Sequence, residues 1–128
     1  MTDLFVLEHS PKIKKIKTLE ADSLAEVLQA LRTHDTVAWV RRQNTGAAKV
    51  GGRFIKFGWA GCTDLLGMLK DGRLLAVECK RPKGGKLSTE QAQFIDMVNQ
   101  FGGCAFVATN LYDVLDNLGS DNQCQLKK

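Results

Sequence analysis

The sequence predicts a single α/β domain built on a central mixed β-sheet flanked by α-helices. Three observations carry that expectation. Apolar residues recur at helical spacing in Leu24, Val27, Leu28 and Leu31, and again in Phe94, Met97, Val98 and Phe101, which defines two amphipathic helices with a face to bury. Between them lie short apolar runs broken by glycine and aspartate, the pattern of strands joined by hairpins. The order helix, hairpin-rich strands, helix, strand, helix then describes an α/β sandwich.

Size and composition bound the rest. At 128 residues the chain holds one core and has no room for a second catalytic domain. A hydrophobic share of 44% and a charged share of 25% describe an ordinary globular protein, neither disordered nor membranous. No apolar run approaches the roughly 20 residues that span a bilayer, and the first residues lack the charged-then-apolar pattern of a secretory signal, so the expected compartment is the cytoplasm. Cys62, Cys79, Cys104 and Cys124 form no C-x-x-C pair, which argues against zinc or redox chemistry, and three of them read as small core residues.

Taken in order, the first helix begins near Thr18 or Glu20. Val37-Ala38-Trp39-Val40 is a short strand running on into Arg41 and Arg42. The stretch from Gln43 to Gly52, with three glycines and two alanines, reads as a mobile loop, and Arg53 to Trp59 as a strand. Leu65 to Leu69 and Leu75 to Lys80 are the arms of a hairpin. After Gly84-Gly85, Ser88 and Gln91 form a capping box that opens the next helix, which Gly102-Gly103 ends. Cys104 to Ala108 is a buried strand, and Leu111, Val114, Leu115 and Leu118 mark a last short helix. No repeat, low-complexity tract or linker divides the chain, whose core is expected from about 18 to 118 with loosely tied ends.

Chemistry concentrates in Gly61-Cys62-Thr63-Asp64 and in Glu78-Cys79-Lys80. Side chains alternate along a strand, so Glu78 and Lys80 point one way while Leu75, Val77 and Cys79 point the other. Whether Asp64 joins them depends on the turn. A two-residue Asp71-Gly72 loop would set Asp64 opposite Cys79 on the wrong face. A three-residue Lys70-Asp71-Gly72 loop, with Gly72 in the left-handed region as a bulge, sets Leu69 opposite Arg73 and Asp64 opposite Glu78. The second turn is the one expected here. Asp64, Glu78 and a main-chain carbonyl such as that of Cys79 then offer hard oxygen ligands to Mg²⁺ or Mn²⁺. Lys80 would orient or deprotonate a water, or offset charge growing on a phosphate. Gln91 has two compatible readings: it closes the capping box, and, three residues before the inward Phe94, its amide is within reach of a metal-bound water or a ligand carboxylate.

A net charge of +4 and a pI near 9.0 suit a polyanionic partner. Lys12, Lys14, Lys15 and Lys17 read as a solvated surface. Arg41, Arg42, Lys49, Arg53 and Lys56, and then Lys80, Arg81, Lys83 and Lys86, flank the acids in sequence, and their expected role is phosphate contact. By strand alternation one of Arg41 and Arg42 faces the acids and the other faces away. His9 and His34 read as surface residues, and Ser88 as a cap. Phe54, Phe57 and Trp59 either complete the core or form a subunit interface.

The ordered set of an acid leading the first helix, Arg41-Arg42-Gln43-Asn44-Thr45-Gly46, Gly61-x-x-Asp64, Glu78-x-Lys80 and Leu87-Ser88-x-x-Gln91 resembles the PD-(D/E)XK nuclease superfamily. Within it, the set resembles the VRR-NUC family of virus-type replication and repair nucleases, over about Glu20 to Leu118. Thr63 stands where the superfamily name records a proline, a residue that is often absent. The resemblance implies the PD-(D/E)XK sheet and Glu20 as a helical metal ligand, with Asp22 and Glu26 near enough to compete. It also implies a structure-selective endonuclease acting on branched DNA. Small stand-alone members, typically from phages, look like Holliday-junction resolvases that act as homodimers on four-way junctions, and a two-fold pair suits a substrate with two equivalent strands. The rival readings are a non-catalytic DNA-binding subunit, a sequence-specific restriction endonuclease, and a flap or nicking nuclease.

Overall fold

A computed structural model describes residues 20–43 and 46–119. The Lys12 to Lys17 cluster, His9, Thr18, Asn44, Thr45 and Cys124 lie outside the described residues, as do the side chains of Lys56 and Phe57. The elements run α1 (Glu20–Arg32), β1 (Val37–Arg42), β2 (Gly46–Val50), β3 (Arg53–Phe57), β4 (Leu65–Leu69), β5 (Leu74–Cys79), α2 (Thr89–Gln100), β6 (Cys104–Ala108) and α3 (Leu111–Leu118). Four strands form one mixed sheet in the order β1-β4-β5-β6, and β2 and β3 form a separate two-stranded sheet. The first two pairings are antiparallel and β5 runs parallel to β6. This is the mixed sheet flanked by helices that the sequence predicts.

Strand alternation divides the core into two layers. Leu65, Leu69, Leu75, Val77 and Cys79 face α1 and α3, where Val27, Leu31, Val114 and Leu118 meet them. Leu24 and Leu28 complete the expected stripe of α1 as partly buried neighbours. Ala76 and Ala105 face α2 and pack with Phe94, Val98 and Cys62. His34 ties the first layer together. Its Nε2 bonds the carbonyl of Gly119 at the end of α3, and its Nδ1 accepts from the Thr36 peptide N–H and pairs with the Thr36 hydroxyl. Its role is structural rather than the surface one expected.

Three further expectations need correction. The stretch from Gln43 to Gly52 is not a loop throughout, because Gly46–Val50 pairs antiparallel with Arg53–Phe57 and Val50 sits opposite Arg53. The two-residue Gly51-Gly52 turn has both φ angles positive, +57° and +80°, as a tight primed hairpin turn demands. On α2, Met97 and Phe101 are exposed, the latter at 80%. The buried face is centred on Gln91, Phe94, Ile95 and Val98, which puts Met97 about 100° away, and Phe101 is already the C-cap. Cys62 and Cys79 are buried free thiols as read, whereas Cys104, also buried, is disulfide-bonded and so more than a small core residue. Among the described residues no helix is long and apolar enough to cross a membrane.

Candidate active site

The β4–β5 turn decides the site. Gly72 donates its N–H to the Leu69 carbonyl at 2.8 Å, Leu69 donates to the Arg73 carbonyl at 2.9 Å, and Gly72 has φ +96°. That is the three-residue loop with a left-handed glycine. Met68 pairs with Leu74 and Leu65 with Val77, so one step further along the same register Asp64 stands opposite Glu78. Core packing enforces this alignment. A one-residue slip would turn Leu65 and Leu69 out of the layer beneath α1, at roughly 1.5–3 kcal/mol for each large apolar side chain exposed.

Glu78 is the centre of the constellation and only 1% exposed. Its Oε1 accepts the Asp64 peptide N–H at 3.2 Å. Its Oε2 accepts from Gln91 Nε2 at 3.0 Å and lies 3.2 Å from Lys80 Nζ. Asp64 Oδ2 in turn accepts the Cys79 N–H at 2.9 Å. A buried carboxylate without donors would be very costly, and these contacts offset part of that cost. They do not offset all of it. Burial first, and the Asp64 carboxylate second, push Glu78 up to about 7 against the pull of Lys80.

Gln91 holds both roles read from the sequence. Its Oε1 accepts the Ser88 N–H at 3.0 Å, the Ser88 Oγ accepts the Gln91 N–H at 3.1 Å, and its amide nitrogen is left for Glu78. The N-terminal turn of α2 is thus fastened to the site. Gly61 belongs to the same junction, since a Cβ there would lie 2.9 Å from Glu90 Cβ. Thr63, fully buried, donates its hydroxyl to the Leu65 carbonyl at 2.9 Å and so braces the approach to Asp64.

The helical acids divide. Glu26 accepts the Leu111 N–H at 2.9 Å, which commits it to the start of α3 and removes it from the competition. Asp22 Oδ2 is buried with no hydrogen-bond partner among the described residues. Glu20 is exposed at the first residue of α1, on the Cys79 side of the sheet. Burial pushes the Cys79 thiol up, Asp64, Glu78 and Glu20 add to the effect, and Arg42 opposes it. The thiol therefore stays protonated and is no nucleophile. Among the described residues no three His, Cys, Asp or Glu side chains converge to hold a metal ion, so Glu20 does not join Asp64 and Glu78 in one group.

The two acids still fit a hard divalent cation. Mg²⁺ keeps several waters and needs only one or two protein carboxylates. Burial and the Asp64 carboxylate, which together lift Glu78, disfavour the same negative charge that a bound dication would favour.

The cations frame this site unequally. Arg41 pairs with Leu66 and so shares the face of Ala76 and Glu78, whereas Arg42 pairs with Leu65 and faces the α1 side. Arg41 is therefore the inward one of the two. Lys83 and Lys86 are exposed on the loop between Lys80 and Gln91, both of which reach Glu78. Lys49 and Arg53 are exposed on the β2–β3 hairpin. Sequence reasoning gave no role to Gln43, whose N–H donates to the Asp64 carbonyl at 2.7 Å. Alternation from Arg41 was the available signal, since it sets Gln43 in the cross-sheet row of Asp64 and Glu78.

Comparison of the chain with protein-family models, with curated proteins and with solved structures finds no match in any of the three.

Proposed function

We propose that the protein is a metal-dependent, structure-selective DNA endonuclease of the VRR-NUC type in the PD-(D/E)XK superfamily. Its proposed substrate is branched DNA, with a Holliday-junction resolvase as the specific role, acting as a homodimer inside the cell. The observation that carries the reading is the cross-strand pair Asp64 and Glu78, with Lys80 and Gln91 both engaged on Glu78. A surface hairpin of merely solvated charges does not bury its acid at 1% exposure beside a second acid.

Asp64 and Glu78, with the Cys79 carbonyl, would hold Mg²⁺ or Mn²⁺, which supplies Lewis-acid polarisation of a phosphate and a more acidic water. Lys80 stands at the rim of the pair, 14% exposed in its side chain. From there it serves a water or the developing negative charge on the phosphate. Gln91 is the positioning residue that keeps Glu78 aimed. Arg41 on the same face, with Lys83 and Lys86 on the loop that follows Lys80, binds the DNA backbone without reading bases, which is why structure rather than sequence selects the substrate.

Cleavage assays with Mg²⁺ or Mn²⁺ on four-way, flap, splayed and linear DNA of matched sequence test this. Preferential cutting of the four-way junction is expected. Cutting confined to particular sequences in linear duplex, or binding with no cutting under either metal, would replace the reading with a restriction enzyme or a DNA-binding subunit.

A further inference from the structure

The β2–β3 hairpin carries features that the acidic site leaves unused. Its strands pair with each other and with no strand of the main sheet. A lone two-stranded hairpin is marginal in water, yet this one exposes Phe54 at 70%, together with Val50 and Ile55. Antiparallel register puts Lys49 opposite Phe54, so the cation and the ring share a face. Arg53, opposite Val50, covers the other side of the Gly51-Gly52 tip. Protein interfaces deplete charge at their apolar centres, whereas a ring bracketed by exposed cations complements a base and its flanking phosphates.

Both stems of the hairpin are rooted at the acidic site. On one side Gln43 donates to the Asp64 carbonyl, three residues before β2 begins. On the other, Trp59 meets the Phe94 ring edge-on, with centroids 5.2 Å apart and planes at 77°, and accepts the Cys62 N–H at 3.1 Å. Each five-residue strand is about 16 Å long at ~3.3 Å per residue.

We propose that this hairpin is a branch-point wedge: Phe54 stacks on a base exposed where DNA arms diverge, and Lys49 and Arg53 hold the flanking phosphates. The inference rests on the proposed function and deepens it, by naming how a branch is distinguished from linear duplex.

The test uses the full chain and a four-way junction carrying 2-aminopurine at the branch, in EDTA so that binding is read without cleavage. Wild type should raise the 2-aminopurine fluorescence. Phe54→Ala should abolish that rise and weaken junction binding roughly 5- to 150-fold, with linear-duplex affinity unchanged, and Phe54→Trp should restore the affinity. Wild-type fluorescence and affinity in Phe54→Ala would overturn the wedge while leaving the nuclease reading intact. A Phe54→Ala chain that loses self-association would assign the ring to subunit pairing and also overturn it. Wild type that binds the junction no more tightly than linear duplex would instead sink the proposed function itself.

Discussion

Replacing Glu78 by Gln should stabilise the metal-free protein at alkaline pH and leave its stability unchanged in acid. Burial and the Asp64 carboxylate raise Glu78 from an ordinary 4.5 to about 7. Between those two pH values the folded state holds a proton that the unfolded state has released. Stability from this group is therefore fully present below pH 4.5 and falls as pH rises toward and past 7. At ~1.4 kcal/mol per pH unit the loss is on the order of 3 kcal/mol, an upper figure for a coupled pair of acids. The glutamine amide imitates the protonated carboxyl, since it can donate toward Asp64 as that carboxyl would. The variant should thus track wild type near pH 4.5 and exceed its melting temperature above pH 7.5, by roughly 10 °C at most for a chain of this size.

The assay is thermal unfolding in EDTA from pH 4.5 to 8.5, repeated with Mg²⁺ at pH 8. The cation should recover much of the deficit in wild type and little of it in the glutamine variant, because a ligand that binds only the folded state stabilises it by mass action. A difference that does not change with pH, or a variant less stable than wild type at pH 8, would refute the idea that Glu78 carries an uncompensated charge held for function.

Asp64→Asn, Glu78→Gln and Lys80→Ala should each abolish cleavage while leaving the fold and much of the DNA binding intact, as circular dichroism and anisotropy would report; wild-type turnover in any of them removes that residue from the site. Junction affinity should fall steeply with salt, and Lys83→Glu with Lys86→Glu should flatten the slope by about one to two; an unchanged slope moves the DNA path elsewhere. Sedimentation across a concentration series should find a homodimer, and a monomer both free and on a four-way junction would favour flap or single-site nicking instead.

How much of this was legible in the sequence differs from element to element, for physical reasons. The capping box on Ser88 and Gln91 is local, so four residues sufficed to predict it. The second role of Gln91, on Glu78, needs only the added knowledge that α2 covers the Ala76 face. Glycine and alanine weigh against a strand at β2, although the two-residue Gly-Gly tip is a hairpin signal in plain view. Met97 and Phe101 were misplaced because an apolar side chain at roughly the right spacing does not fix the phase of a short helix, and Phe101 falls where the helix has already ended. The helical acids were the least legible. Which of Glu20, Asp22 and Glu26 points where depends on how α1 is rolled against α3 and the sheet, and only the contact of Glu26 with the Leu111 N–H reveals that Glu26 faces away.

Asp64 lies between these extremes. Its pairing with Glu78 is long-range, yet the turn and the core specify it twice over. Gly72 at φ +96° accommodates the bulged third loop residue, which sets the register from one end. Leu65, Leu75 and Val77, fully buried against α1 and α3, set it from the middle, because a slip by one residue would reverse every side chain on β4. The same slip would carry Asp64 to the Cys79 side and leave Glu78 buried without the Asp64 N–H it accepts. The packing that keeps leucines out of water is therefore also the device that brings the two acids together, and a sequence readable for its core is readable for its chemistry at that one point.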